Sequence, residues 1–431
     1  MQDAEVPGRN PTKIFYGWWV VLVSSIGLSS NPGQFAFGSL GLFIIPLGDA
    51  FGWTRTEVSL ALTLFTVALA CSQPAIGALV DRYGSKKVLI PSTIIFALLL
   101  AAIPAFVSEL WHFLLIFVLI GSLAAGANAM PYLRILGAWF DRKRGLAYGL
   151  ALSGAGVGYA YVPPMLDYLI SNYGWRSGYY VLTSILLVVT VPLLWFFLRD
   201  DPKEAGLASD GSKVDAHEPL DTPSLAPSVE GEVEGLEWRQ AIRGKVFWLL
   251  FPIFVIISLS LYGMLAHFVP MLTDGGMTTQ RAALAAGTLG VTIVVSRPVI
   301  GVLLDRYFAP FIALVCFLIS AVGFLILSVD LSGPHVYAVA VLIGLSLGAE
   351  LDLLAFLTSR YFGMRSFGVL YGMQFSGFMI GASLGPVLYG MTFDMNGNYQ
   401  VILRFSAVFM CTAAAMLALL PRYPSLGVPA R

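Results

Sequence analysis

PAIGALVDRY, residues Pro74–Tyr83, returns as PVIGVLLDRY, residues Pro298–Tyr307, a shift of 224. A second echo joins YGLALSGAGVG, beginning at Tyr148, to YGMQFSGFMIG, beginning at Tyr371, a shift of 223. Two echoes at nearly one offset within 431 residues point to an internal duplication, and so to two related halves around a shared centre. The duplication is also a ruler. A shift of 222 sets Asn128 against Glu350, and the 224 shift sets Gln73 against Arg297. The charged residues of the second half stand where the first half is neutral.

The composition says what surrounds these halves. The chain is 57% hydrophobic and 12% charged, against roughly 25% charged for a soluble domain, so lipid is its solvent. A span needs about 20 apolar residues. Such stretches run near 16–46, 56–80, 88–107, 111–140, 145–171 and 177–198, then 245–273, 279–304, 309–328, 334–362, 367–395 and 399–420. The expected fold is an all-α membrane protein of 12 transmembrane helices in two pseudo-symmetric six-helix bundles. The 44 Gly and 24 Pro suit close helix packing or a cavity wall. No signal-peptide pattern precedes the first span, which is expected to be retained. Cys71, Cys316 and Cys411 lie in apolar spans without metal-like spacing, and no Walker, Rossmann, haem or zinc pattern occurs. Neither an enzyme nor a cofactor or metal site is expected.

Charge sets the orientation. With a cytoplasmic N-terminus the inner segments carry 19 of the 25 basic residues, among them Arg9, Lys13, Arg82, Lys86, Lys87, Arg306 and Arg365. The outer loops carry three, Arg55, Arg176 and Arg281. Both termini are therefore expected in the cytoplasm of an inner (plasma) membrane. Residues 200–238 hold eleven of the 25 acidic residues and few large apolar ones, the composition of a solvated linker. The expected organisation is a tail at 1–15, a six-helix bundle at 16–199, a linker at 200–244, a second bundle at 245–420 and a tail at 421–431.

The loop after the second span, Gly77-Ala-Leu-Val-Asp81-Arg82-Tyr83-Gly84-Ser85-Lys86-Lys87, resembles the G-x-x-x-D-R-x-G-x-K-K signature of the major facilitator superfamily, and the likeness covers the whole chain. The second copy keeps Gly301, Asp305 and Arg306 but has Phe308, Ala309 and Pro310 where the glycine and basic residues would be. YGWWVV near Tyr16, AWFDRKRGLAYGLALSGAGVG from Ala138 and Arg297-Pro298-x-x-Gly301 resemble the monocarboxylate-transporter and oxalate/formate-exchanger branch. The resemblance implies the major facilitator fold, rocker-switch alternating access, a substrate carboxylate on the arginine of the eighth span, and Asp81 pairing across the halves to hold the outward-facing state. Two departures matter. Ile293 stands where mammalian-type members have an Asp, and no Lys occurs between Tyr371 and Asn396 where an oxalate exchanger has one. A monocarboxylate therefore matches better than a dicarboxylate.

Ionisable residues within spans are costly and mark function. Arg297 lies eight residues before Asp305, about 12 Å from the cytoplasmic end at 1.5 Å per residue. Its guanidinium can hold a carboxylate bidentately; the bland alternative is an internal ion pair. Glu350 and Asp352 are two residues apart, about 200° around a helix, so one faces the cavity. Pseudo-symmetry favours Glu350 as the partner of Arg297. A helix-10 carboxylate that neutralises Arg297 and releases it on protonation would couple a proton to one monocarboxylate; a permanent structural pair is the alternative. Arg134 is six residues above Phe140 and Asp352 ten above Phe362, which makes them a candidate inner gate unless Arg134 snorkels.

Asn128 and Tyr132 share a helix face at i, i+4 and offer an amide and a phenol to an anion. Asn31 and Gln34 adjoin Pro32-Gly33, a helix break that exposes backbone groups or simply kinks. Tyr371, Gln374 and His267 complete the substrate-site candidates, His267 also as a group able to change charge near neutral pH. Gly77, Asp81, Arg82, Gly84, Arg134 and Arg142 are the gating candidates, with topology alone as the alternative for the basic ones. The expected function is secondary active transport of a small monocarboxylate, coupled to protons, by a monomer in the bilayer that binds no nucleic acid; an organic-anion exchanger and a transporter-fold sensor are the alternatives.

Overall fold

The computed structural model describes residues 15–207, 209–211 and 235–424, in which the chain forms helices and no strand. Twelve long helical segments follow one another: α1 Gly17–Phe51, α2 Arg55–Tyr83, α3 Ser85–Phe106, α4 Leu110–Trp139, α5 Arg144–Tyr173 and α6 Trp175–Phe197, then α7 Lys245–Asp274, α8 Thr279–Arg306, α9 Ala309–Leu327, α10 His335–Phe362, α11 Phe367–Asn396 and α12 Gln400–Ala418. Eleven are long and apolar enough to cross a membrane. The other, α5, is 30 residues long and diluted by five glycines and five tyrosines. The ends lie close to those expected from apolarity, except that α1 runs on to Phe51. Residues 212–234 of the expected linker, and the tails 1–14 and 425–431, lie outside the described residues.

Three helices of the first half depart from the α-helix in mid-course, α6 through a π-helical stretch over Ile185–Thr190. In α1 the Asn31 side chain accepts the Gly33 N–H at 2.7 Å, beside Pro32, and the chain continues as a π-helical turn over Gly33–Phe37. Proline removes a helical donor, and a short amide side chain offers the backbone a local alternative. In α4 a 3-10 turn over Leu123–Ala127 ends at an extended Asn128 (φ −82°, ψ −171°). The helix resumes at Ala129 with Pro131 in its first turn, where a missing N–H costs no hydrogen bond.

The two sequence echoes are the seam between the halves. Helices α2 and α11 approach so closely that a Cβ on Gly77 would collide with the Gly368 carbonyl, and one on Gly372 with the carbonyl of Gln73. The duplicate pair repeats the contact: Gly301 of α8 lies against Gly145 of α5, and Gly149 against the Arg297 carbonyl. Small residues let backbones meet, and dispersion between them replaces the hydrophobic drive that lipid does not supply. Within each half the duplication is equally visible. Trp139 Nε1 donates to the Arg199 carbonyl at 2.9 Å, and 222 residues on the Tyr361 hydroxyl donates to the Pro421 carbonyl at 2.7 Å. Large apolar side chains such as Phe106, Val188 and Phe196 are exposed on the outside, as a lipid-facing surface requires.

Candidate functional site

Arg297 projects from α8 and is buried, 7% exposed. Its Nη1 lies 3.5 Å from Oδ1 of Asp352 on α10, itself fully buried. The contact is an ion pair without a hydrogen bond: Nη1 and both Asp352 oxygens have no hydrogen-bond partner among the described residues. Glu350, two residues earlier and 1% exposed, turns the other way; its Oε1 accepts the Tyr262 hydroxyl of α7 at 3.0 Å, and Oε2 has no partner. The expectation that Glu350 is the contacting partner of Arg297 is therefore corrected to Asp352, while Glu350 stays within electrostatic range of Arg297.

The reason lies in the face of α10. Gly344 and Gly348 lie against Thr292 and Ser296 of α8. Asp352 continues that stripe at i, i+4, i+8, while a 200° turn sends Glu350 toward α7.

Aromatic hydroxyls surround the pair. Tyr371 of α11 is buried with its hydroxyl unpartnered, within electrostatic range of Asp352, Arg297 and Tyr148, its counterpart in the first half. It stands in a ring ladder on α11 running Phe367, Tyr371, Phe375 and Phe378, with centroids 5.6–5.8 Å apart. Tyr159 of α5, half exposed, bonds the Gly33 carbonyl at 3.4 Å and lies within electrostatic range of Arg297 and Tyr262. Tyr159 and Tyr262 were not among the sequence candidates. Tyr159 follows Tyr148 by eleven residues, three helical turns on one face, which is the signal that points to it.

The other candidates fall less centrally. Gln374 is buried and donates to the Phe247 carbonyl of α7 at 3.4 Å. Gln73, the counterpart of Arg297, is fully buried with both amide atoms unpartnered. Asn31 spends its oxygen on Gly33, and Gln34 packs against Gly158 with its oxygen unpartnered. Asn128 sits at the break of α4, its amide 3.4 Å from the Ala125 carbonyl, and the Tyr132 ring fills the space over Gly27 of α1. His267 is not brought to Arg297. Its ring nitrogens are taken by the Tyr399 hydroxyl at 3.2 Å and the Pro386 carbonyl at 3.0 Å, which ties α7 to α11 and to Tyr399 at the start of α12.

The cytoplasmic ends are latched twice. Asp81 accepts the N–H groups of Gly368 and Val369, both at 2.9 Å, at the start of α11. Asp305 accepts those of Gly145 and Leu146, at 2.6 and 2.9 Å, at the start of α5. Each carboxylate thus caps a helix of the opposite half, meeting orphan donors and the positive end of the helix dipole.

Arg134 does not pair with Asp352, as expected from sequence; its Nε lies 3.2 Å from Asp81 Oδ1. The two expected partners differ by four residues in depth, about 6 Å along a helix, and Asp352 is committed to Arg297. Arg142 also departs from expectation. It is exposed and uses its backbone N–H on Asp210, while the ion pair joining the halves runs from Arg360 to its neighbour Asp141 at 2.9 Å. Arg82 is exposed over the Tyr83 ring, and Gly84 makes the left-handed turn (φ 91°) into α3.

This arrangement is a buried polar centre between two six-helix halves, sealed on the cytoplasmic side. Among the described residues no group of three or more His, Cys, Asp or Glu is placed to hold a metal ion.

Comparison with known proteins agrees with the architecture. The Major Facilitator Superfamily model matches residues 26–386. An uncharacterized MFS-type transporter of Bacillus subtilis (strain 168), YcxA, is 23% identical over 417 residues, 93% of this chain and 94% of its own length. Monocarboxylate transporter 2 of Rattus norvegicus is 23% identical over 410 residues, 93% of this chain and 82% of its own. The crystal structure of the E. coli fucose:proton symporter FucP superposes with a TM-score of 0.66 at 14% identity, covering 94% of this chain and 99% of that one. With a family match over most of its length and the same fold, the chain belongs to the Major Facilitator Superfamily and is a membrane transporter.

Proposed function

We propose that the protein carries a small monocarboxylate across the plasma (inner) membrane by alternating access, with one proton moving alongside each anion. The observation that carries this reading is the buried Arg297, in ion-pair contact with Asp352 and, among the described residues, free of hydrogen bonds at Nη1. A guanidinium so placed can exchange one carboxylate for another, because an incoming substrate offers the same two-oxygen acceptor as Asp352. The exchange requires that Asp352 lose its charge as the substrate arrives, since two carboxylates on one buried cation leave an uncompensated negative charge. A proton on Asp352 meets that need.

Glu350, linked to Tyr262, is the second carboxylate of the centre. The paired Asp81 and Asp305 caps serve as the inner lock while the centre faces outward. The monocarboxylate transporters among the relatives point to the same substrate class.

Gradient-driven uptake into proteoliposomes tests the coupling. With an inward proton gradient the wild type accumulates the labelled anion above equilibrium. Asp352→Asn is expected to equilibrate it and no more. Undiminished gradient-driven accumulation by Asp352→Asn would remove Asp352 from the coupling.

A further inference from the structure

A groove of about 690 Å³ opens on the lipid-facing side of the first half, between α3 and α6. Ile90, Pro91, Ile94 and Ile95 form one wall and Trp195 the other, with Lys86 and Lys87 at the rim. The lysines lie in the first turn of α3, just past the inner latch, so the rim is at the cytoplasmic surface. The isoleucines continue about 12 Å into the hydrocarbon at 1.5 Å per residue. Trp195 is exposed, in the position of an interfacial aromatic.

The two lysines differ. Lys86 binds the Trp195 carbonyl through Nζ at 2.7 Å, and its backbone N–H is accepted by Asp200 at 2.8 Å, so it fixes the two walls together. Two of its three ammonium donors remain. Lys87 is exposed, lies within electrostatic range of Asp200, and makes no hydrogen bond or contact ion pair among the described residues.

The second half supplies an internal control. There the same helix start reads Phe308-Ala309-Pro310, so by the 224 shift a proline stands where Lys86 does, and the Ala309 N–H, one residue earlier, is accepted by the Tyr423 hydroxyl at 3.1 Å. The second half thus starts this helix without a lysine, whereas in the first half Lys86 and Lys87 stand within electrostatic range of Asp200 and only Lys86 also holds a carbonyl, so Lys87 keeps all its donors for a group at the surface.

We propose that this groove binds one anionic glycerophospholipid of the cytoplasmic leaflet, its phosphate group at Lys87 and Lys86 and an acyl chain along Ile90, Ile94 and Trp195. A neutral headgroup makes no use of Lys87, and a free anion makes none of the apolar walls. A basic residue near an anionic headgroup is worth about 1 kcal/mol, or about five-fold in affinity.

Native mass spectrometry of the full chain, delipidated and then titrated with phosphatidylglycerol or phosphatidylcholine of identical acyl chains, tests this. Phosphatidylglycerol is expected to fill one site at lower concentration than phosphatidylcholine. Lys87→Gln should weaken it about five-fold, without change for phosphatidylcholine, and the Lys86→Gln/Lys87→Gln pair about 25-fold or more, with a smaller loss for phosphatidylcholine because Lys86 also holds the Trp195 wall. Ile94→Trp, which fills the wall, should weaken both lipids, whereas Arg422→Gln at the cytoplasmic end of the second half should change neither. Equal binding of the two lipids by the wild type would overturn the proposal. So would an unaffected double variant, an Arg422→Gln loss as large as that of Lys87→Gln, or displacement of phosphatidylglycerol by inorganic phosphate.

Discussion

Neutralising Asp352 separates the two carboxylates of α10 by a measurement of stability alone. Asp352→Asn takes from the Arg297 guanidinium, 7% exposed, its contacting counter-charge and leaves Glu350 only at longer range. Breaking a buried pair on one side costs about 3–5 kcal/mol. On the scale of about 2–4 °C per kcal/mol for a unit of 150–250 residues, the unfolding midpoint should fall by roughly 6–20 °C. Glu350→Gln changes a group whose neutral replacement still accepts the Tyr262 hydroxyl, so its cost should stay near 1 kcal/mol, a few degrees at most.

Adding Arg297→Gln to Asp352→Asn removes the stranded charge and should recover at least half of the loss. The assay is thermal unfolding of the purified full chain, followed by tryptophan fluorescence at one pH and one salt concentration. Two results would refute the reasoning: a larger loss in Glu350→Gln than in Asp352→Asn, or a double variant no more stable than Asp352→Asn.

Two further outcomes follow from the contacts. Asp305→Ala removes the acceptor of the Gly145 and Leu146 amides, charge-assisted bonds worth about 1.5–3 kcal/mol each; hydrogen exchange there should quicken by tenfold or more, while the Gly368–Val369 amides held by Asp81 stay slow, and equal acceleration at both would show one latch rather than two. Tyr262→Phe leaves the buried Glu350 without its donor at a cost of about 1–3 kcal/mol, so an unfolding midpoint within a degree of wild type would mean that the hydroxyl bond does not hold in the membrane.

The duplicated segments were the most legible part of the chain, because an echo that must bring small residues together twice has little freedom to lie elsewhere. Gly77 and Gly301, read from sequence as equivalent, do meet Gly368 and Gly145 in equivalent crossings. The burial of charge was legible too, since Arg297, Glu350 and Asp352 are costly in a span wherever they point. Which carboxylate meets the arginine was not. The ruler that set Glu350 against Asn128 ranks positions by ancestry, whereas contact is decided by the face that α10 turns to α8. That face is written in Gly344, Gly348 and Asp352, yet it becomes readable only once α8 is known to lie there.

His267 shows the opposite limit. A lone ring in an apolar span is satisfied by whatever hydroxyl and carbonyl pack beside it, and Tyr399 and Pro386 come from helices that no local pattern ties to α7. Tyr262 is one of 18 tyrosines, with nothing in its neighbours to mark it as the donor to Glu350.

Counterflow in proteoliposomes tests the central claim most directly. Vesicles holding the purified protein and loaded with an unlabelled short monocarboxylate should transiently concentrate the labelled compound from a dilute outside solution. Vesicles holding Arg297→Gln should not, and a dicarboxylate load should drive little. Absence of counterflow for every monocarboxylate tried with the wild type, or counterflow by Arg297→Gln equal to wild type, would contradict a carrier that holds its substrate carboxylate on Arg297.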